Sequence, residues 1–137
     1  MMRKSVLVVS LVLTGCTTAG QSPAPVVKAT TPRALTSAEK AVVEEGVRKS
    51  LKDPNSAMFG PMAAAQEDEK NTWVCGYVNA RNSFGGYTGD KPFMGGLAHI
   101  PADKQKIETF VVTGIGGTES ASYAVLEMCR RYGVLPR

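Results

Sequence analysis

The chain has 137 residues, with 16 basic and 12 acidic side chains, a formal net charge of +4 and 20% charged positions. That length suits one small domain with a modest core, and the charged and apolar fractions are those of a globular domain. With no basic stripe along the chain, nucleic acid is excluded as a partner.

Arg3 and Lys4 form a basic start, and Val6 to Leu13 is a short apolar run. The run is about eight residues, the length of a signal-peptide core and far below the roughly 20 that span a bilayer. Leu13-Thr14-Gly15-Cys16 follows directly. This block resembles the lipobox of bacterial lipoproteins. The resemblance implies that residues 1–15 are a signal peptide and that Cys16 is the lipidated first residue of the mature chain. Its thiol would carry a diacylglyceryl group and its freed amine a further acyl chain. One acyl chain binds a membrane only marginally, so two or three are needed for firm anchoring to the lipid bilayer. Thr17, rather than Asp, follows the cysteine, which by similarity to enterobacterial sorting implies the outer membrane, facing the periplasm. Removing 15 of 137 residues leaves 122, and the loss of Arg3 and Lys4 lowers the net charge from +4 to +2.

Residues 16–35 are rich in Thr, Ala and Pro and poor in large apolar side chains, the composition of a flexible tether. The domain is therefore expected over residues 36–137. Thr36-Ser37-Ala38-Glu39 is a capping box, so a helix starts at Thr36. Val43, Gly46, Val47, Ser50 and Leu51 fall on one face of it and the charged residues on the other. Pro54 requires the helix to stop by Asp53.

A first, weakly marked strand is expected over residues 57–65, interrupted by Gly60-Pro61. Residues 73–81 are the clearest strand. Trp73, Cys75 and Tyr77 share one face, and Val74, Val78 and Ala80 share the other. Bulk on both faces makes this strand central. Residues 82–106 carry many Gly and Pro and read as loop. Ile107 to Thr113 is a further strand. Gly114-Ile115-Gly116-Gly117 then turns the chain into a helix from about Thr118 or Ser120 to Tyr132, with Gly133 as its C-cap. Glu119 stands where the third glycine of a dinucleotide loop would fall, so no nucleotide cofactor is read there. The expected fold is α+β, a small antiparallel sheet of about three strands with an N-terminal and a C-terminal helix packed on it.

Cys75 and Cys129 remain as a pair once Cys16 is lipidated. In an oxidising compartment such a pair reads as a disulfide, here joining the central strand to the last helix. One His and no close Cys or His spacing leave no metal set, and no cofactor is implied.

The stretch from Asn79 to Phe93 mixes amides, a cation, aromatics and glycines at the end of the best strand. Such mixtures make binding surfaces, and Asn79, Arg81, Asn82, Tyr87 and Phe93 are the candidate contacts. The competing reading is a hairpin loop whose Asn and Gly satisfy turn geometry, with Phe84 and Tyr87 tucked beneath it. His99 reads as a surface loop residue with neither nucleophile nor orienting acid beside it.

Two blocks, Leu51-Lys52-Asp53-Pro54-Asn55-Ser56-Ala57-Met58-Phe59 and Cys75-Gly76-Tyr77-Val78-Asn79-Ala80-Arg81-Asn82-Ser83-Phe84-Gly85-Gly86-Tyr87, resemble a group of small exported bacterial proteins. The shared pattern is roughly LKDPxSAxF followed by CGxVNxKNxxGGYxG, with Arg81 where Lys is usual. The resemblance spans roughly residues 38–132 and implies an exported domain without a particular activity. The expectation is a membrane-anchored envelope lipoprotein that is a non-enzymatic binding or structural module acting through the 79–93 loop. An inhibitor or exclusion factor is one version, and its partner would be another envelope protein or a cell-wall component. The alternative is a periplasmic hydrolase acting on cell-wall material.

Overall fold

A computed structural model describes residues 29–99 and 107–137 of the chain. The expected signal peptide, Cys16 and most of the expected tether lie outside the described residues. The element order is β1 (Thr31–Arg33), α1 (Ser37–Arg48), a short 3-10 turn (Pro54–Ser56), β2 (Met58–Gln66), β3 (Asn71–Asn79), β4 (Lys91–His99), β5 (Ile107–Ile115) and α2 (Glu119–Arg131).

The five strands form one sheet in the order β1-β2-β3-β4-β5, every neighbour antiparallel. The α+β class stands, but the expected sheet of about three strands is wrong: the described residues form five. Each missed strand has a local reason. β1 is three residues long and contains Pro32, in a stretch with the composition of a tether. It is an edge strand, where proline is tolerated. It also brings Thr31–Arg33, read from the sequence as tether, into the sheet. β4 contains Pro92, Gly95 and Gly96, residues that argue against a strand in any local reading.

Those glycines make room for rings. A Cβ on Gly95 would collide with the ring of Phe110, and one on Gly76 would lie 2.6 Å from the ring of Phe93. Phe93 meets Phe59 and Phe110 edge-on, with centroids 6.4 and 6.3 Å away. Gly46 plays the same part on α1: a Cβ there would sit 2.7 Å from the Phe110 carbonyl oxygen. Together these glycines let α1 lie close on the sheet.

Adjacent residues on a strand point to opposite faces. Ala64, Val74, Val78, Phe93, Leu97 and Phe110 pack with Val43 and Val47 of α1. Their chain neighbours Ala65, Cys75 and Met94 pack with Val125 and Cys129 of α2. The sheet is therefore sandwiched, with α1 on one face and α2 on the other. Both helices start as the sequence predicts. The Thr36–Glu39 capping box is formed, and the Thr118 hydroxyl caps α2 by accepting from the Ala121 N–H at 3.2 Å. Cys75 and Cys129 form the expected disulfide, with Cα atoms 6.0 Å apart, and it bonds α2 to the central strand. Gly133, at φ +67°, ends α2 in the left-handed conformation that glycine adopts without strain.

Candidate functional site

The two ends of the sheet differ. At the end holding Thr72 and His99, charged and hydroxyl groups are bonded to one another, while the buried Nδ1 of His99 has no hydrogen-bond partner among the described residues. Glu39 is buried at 5% exposure and accepts two hydrogen bonds from Arg33, at 2.8 and 2.5 Å. Its Oε2 also accepts from the Thr36 backbone N–H at 2.8 Å. The Arg33 guanidinium holds the Glu39 carboxyl down at about 2. Arg33 further donates to the Thr72 hydroxyl at 3.1 Å, and that hydroxyl shares a hydrogen bond with His99 Nε2, also at 3.1 Å. His99 is thus the last residue of β4 and half-buried, not a surface loop residue. Thr72 is fully buried, so this chain of contacts fastens β1, α1, β3 and β4 together. The described chain begins at this same end, where the Thr30 hydroxyl donates to the Tyr132 carbonyl at 2.7 Å.

At the opposite end, residues 80–90 join β3 to β4 as a protruding hairpin. The Ala80 carbonyl accepts from the Thr88 N–H at 3.2 Å, and Arg81 bridges to Tyr87. The tip is closed by Asn82. Its side-chain oxygen accepts from the N–H groups of Phe84 and Gly86, at 2.9 and 3.1 Å. Its backbone also pairs with Gly86 and Gly85. Gly85 and Gly89 have φ of +83° and +78°, a backbone that other residues adopt only with strain. The root is pinned as well. The Arg81 N–H donates to the Ser56 hydroxyl at 2.8 Å, which donates to the Asp53 carbonyl at 2.8 Å.

The result is a stiff finger carrying Phe84 at its tip, 97% exposed. Tyr87 is 46% exposed, with the Arg81 guanidinium 5.3 Å from its ring centroid. The five expected contact residues separate accordingly. Arg81 and Tyr87 lie together on the finger. Asn82 is on it too, but its side-chain oxygen is occupied by the turn. Asn79 ends β3 opposite Met58, half-buried, with its Oδ1 buried and without a hydrogen-bond partner. Phe93 does not belong to the rim: it is 0% exposed and lies in the core. That error follows from reading β4 as loop. Phe84 is not among those five, and it stands in water rather than tucked beneath the loop as the competing reading has it. The signal was its place between Asn82 and Gly85, in a turn too tight to cover its own apical side chain.

The two sequence blocks, residues 51–59 and 75–87, lie against each other. Phe59 pairs with Val78, and Met58 with Asn79. Residues of both blocks border an open cleft of about 530 Å³ between the end of α1 and the hairpin. Lys52, Arg81 and Lys91 surround it. Leu51, Val78, Ala80 and Ile115 form its apolar wall. Lys52 and Lys91 were not foreseen as site residues.

Among the described residues no cluster of three or more His, Cys, Asp or Glu side chains suits a metal ion, and no helix is long and apolar enough to cross a membrane. No family model, curated protein or solved structure matches the chain.

Proposed function

We propose that this chain is a lipid-anchored protein of the bacterial envelope, tethered through Cys16 to the outer membrane and facing the periplasm. In this reading its domain binds another envelope component through the hairpin of residues 80–90 and catalyses no reaction. The observation that carries it is Phe84. A phenylalanine almost wholly in water at the tip of a finger whose turn is closed by Asn82 is costly to solvate and contributes nothing to the core. A pre-ordered loop loses little conformational freedom on binding, and buried aromatics dominate interface energies.

The position of the anchor supports the same reading. A tether preceding residue 29 attaches at the end where Thr30 meets Tyr132. The hairpin lies at the other end of nine-residue strands, about 30 Å away at 3.3 Å per residue. It therefore lies on the side of the domain farthest from the attachment point, a position that suits an envelope protein better than the anchoring bilayer. An inhibitor or exclusion factor is the specific form this binding takes if the partner is an incoming enzyme.

Two measurements test the reading. Mass spectrometry of the mature N-terminus, from protein made in its native host, should show acylated Cys16; an unmodified or absent Cys16 removes the anchor. Capture from a crosslinked envelope should yield a partner with the unaltered chain and lose it with Phe84→Ser and with Tyr87→Ala. Equal capture by all three removes the hairpin from the binding surface.

A further inference from the structure

We infer that the cleft at the root of the hairpin is a binding site for a small amphiphilic anion, a carboxylate or phosphate group on a short apolar body. The site is separate from the Phe84 tip and from the lipid anchor, so its failure leaves the reading above standing.

The cations come from three separate segments: Lys52 from the turn after α1, Arg81 from the hairpin and Lys91 from the first residue of β4. Five other described cations are paired with acids. Arg33 is bonded to Glu39, Arg48 to Glu44, Lys49 to Glu45, and Arg130 and Arg131 to Glu127. Among the described residues, no carboxylate lies within ion-pair distance of Lys52, Arg81 or Lys91. Asp53 and Asp90 are their chain neighbours but do not line the cleft. Three like charges around one concavity repel each other, and the low-dielectric protein behind them concentrates their field on the space between. A bound anion relieves that repulsion.

The rest of the lining sets the ligand's shape. Leu51, Val78, Ala80 and Ile115 give one apolar side, which an inorganic ion would leave wet and a short hydrocarbon would cover. Arg81 offers a planar fork of donors that fits carboxylate or phosphate oxygens, and the two lysines act as point charges. The volume of about 530 Å³ lies within the roughly 300–1,000 Å³ typical of small-ligand sites.

The test is an amide chemical-shift titration of the full chain with sodium octanoate, octyl phosphate, inorganic phosphate and octanol. Octanoate or octyl phosphate, or both, should give saturable shifts at Arg81, Lys91 and Gly117, with none at Thr72. The preferred head group tells a carboxylate source from a phosphate source. Octanol should give no such shifts. Lys52→Gln and Lys91→Gln should each weaken the binding about tenfold, the loss of one charge-assisted contact. Lys52→Arg should restore it. Lys52 lies outside every helix and strand, so its variants test the charge even if Lys91→Gln fails to fold. Absence of saturable shifts, or shifts that survive Lys52→Gln unchanged, overturns the site. Inorganic phosphate binding as tightly as octyl phosphate overturns the amphiphilic class.

Discussion

The end of the sheet around Glu39 and the end around the hairpin use similar side chains to opposite effect. Around Glu39, one arginine, one carboxylate and a hydroxyl are each bonded to the next, and the hydroxyl to His99 Nε2, with the buried Nδ1 of that imidazole left without a partner among the described residues. Around the hairpin, an arginine and two lysines border a cleft that no acid lines, and an aromatic ring stands in water beyond them. Buried polar groups stabilise a fold only when matched, because an unmatched one carries its full desolvation cost. Groups left unmatched at the surface are free to act on something else. The contrast therefore separates residues that hold the domain together from residues that are available to a ligand. Each substitution below is placed to break or sharpen it.

The largest effect is expected from the disulfide that joins α2 to the sheet. Cys75 and Cys129 are 54 residues apart in sequence, and opening a loop of that size releases about 4 kcal/mol by the chain-entropy estimate. Cys129→Ala should therefore lower unfolding stability in urea by about that amount. Free-thiol labelling of the denatured, non-reduced chain should find neither cysteine; two reactive thiols would contradict the bond. Next comes Glu39. Its folded value of about 2 lies below the ordinary 4.5, so it contributes stability that is present above pH 4.5 and lost as the pH falls toward 2. A depression of that size amounts to on the order of 3 kcal/mol. Glu39→Gln should remove it and flatten the acid limb of a stability-against-pH curve. An unchanged acid limb would mean that Arg33 and Glu39 are not matched in solution, and the two ends of the sheet would then be alike.

The sequence shows some parts of this arrangement and hides others. Thr36, Glu39 and the alternation of Val43 and Val47 mark α1, because capping and amphipathic spacing are local. The opposed faces of Val74 and Cys75 are legible for the same reason. β4 is hidden because its glycines answer to residues far away in the chain: Gly95 faces the Phe110 ring, and Gly76 on β3 faces the Phe93 ring. No window around residue 95 contains that information. Reading β4 as loop then carried Phe93 onto the surface and left Lys91 without a place. Lys91 comes to the cleft only once β3 and β4 pair through Val78 and Lys91, and Lys52 only once α1 lies on the sheet. The Arg33–Glu39 pair was hidden by Pro32, which made β1 look like tether.

A smaller effect separates the stiffness of the finger from its contacts. Asn82→Ala removes two side-chain hydrogen bonds to an exposed turn. The stability loss should be about 1 kcal/mol, since a net hydrogen bond in water is modest. The consequence for binding should be larger than that loss suggests, because a loosened tip must be ordered again when it meets its partner. Hydrogen exchange of the Phe84 and Gly86 amides should quicken in this variant while exchange at Thr72 stays slow. If all three quicken together, the hairpin is coupled to the core and the two ends of the sheet are not independent.

The smallest effect on stability, and the most informative, is expected at Phe84. Its ring is almost entirely in water and touches no core residue, so Phe84→Ser should change the melting midpoint by no more than the roughly 0.5 kcal/mol usual for surface substitutions. The change is nevertheless large for a binding surface, where truncating a central aromatic typically costs about 2 kcal/mol or more. The turn does not depend on the ring, because the Asn82 side chain accepts from the backbone N–H of residue 84, whichever side chain stands there. Phe84→Ser thus keeps the shape of the finger and removes only its apolar tip. A partner that dissociates faster from this variant, with folding unchanged, assigns the tip to the interface. A variant that melts well below the unaltered chain would mean that the ring is packed in solution, and the hairpin would then belong with the matched end of the sheet.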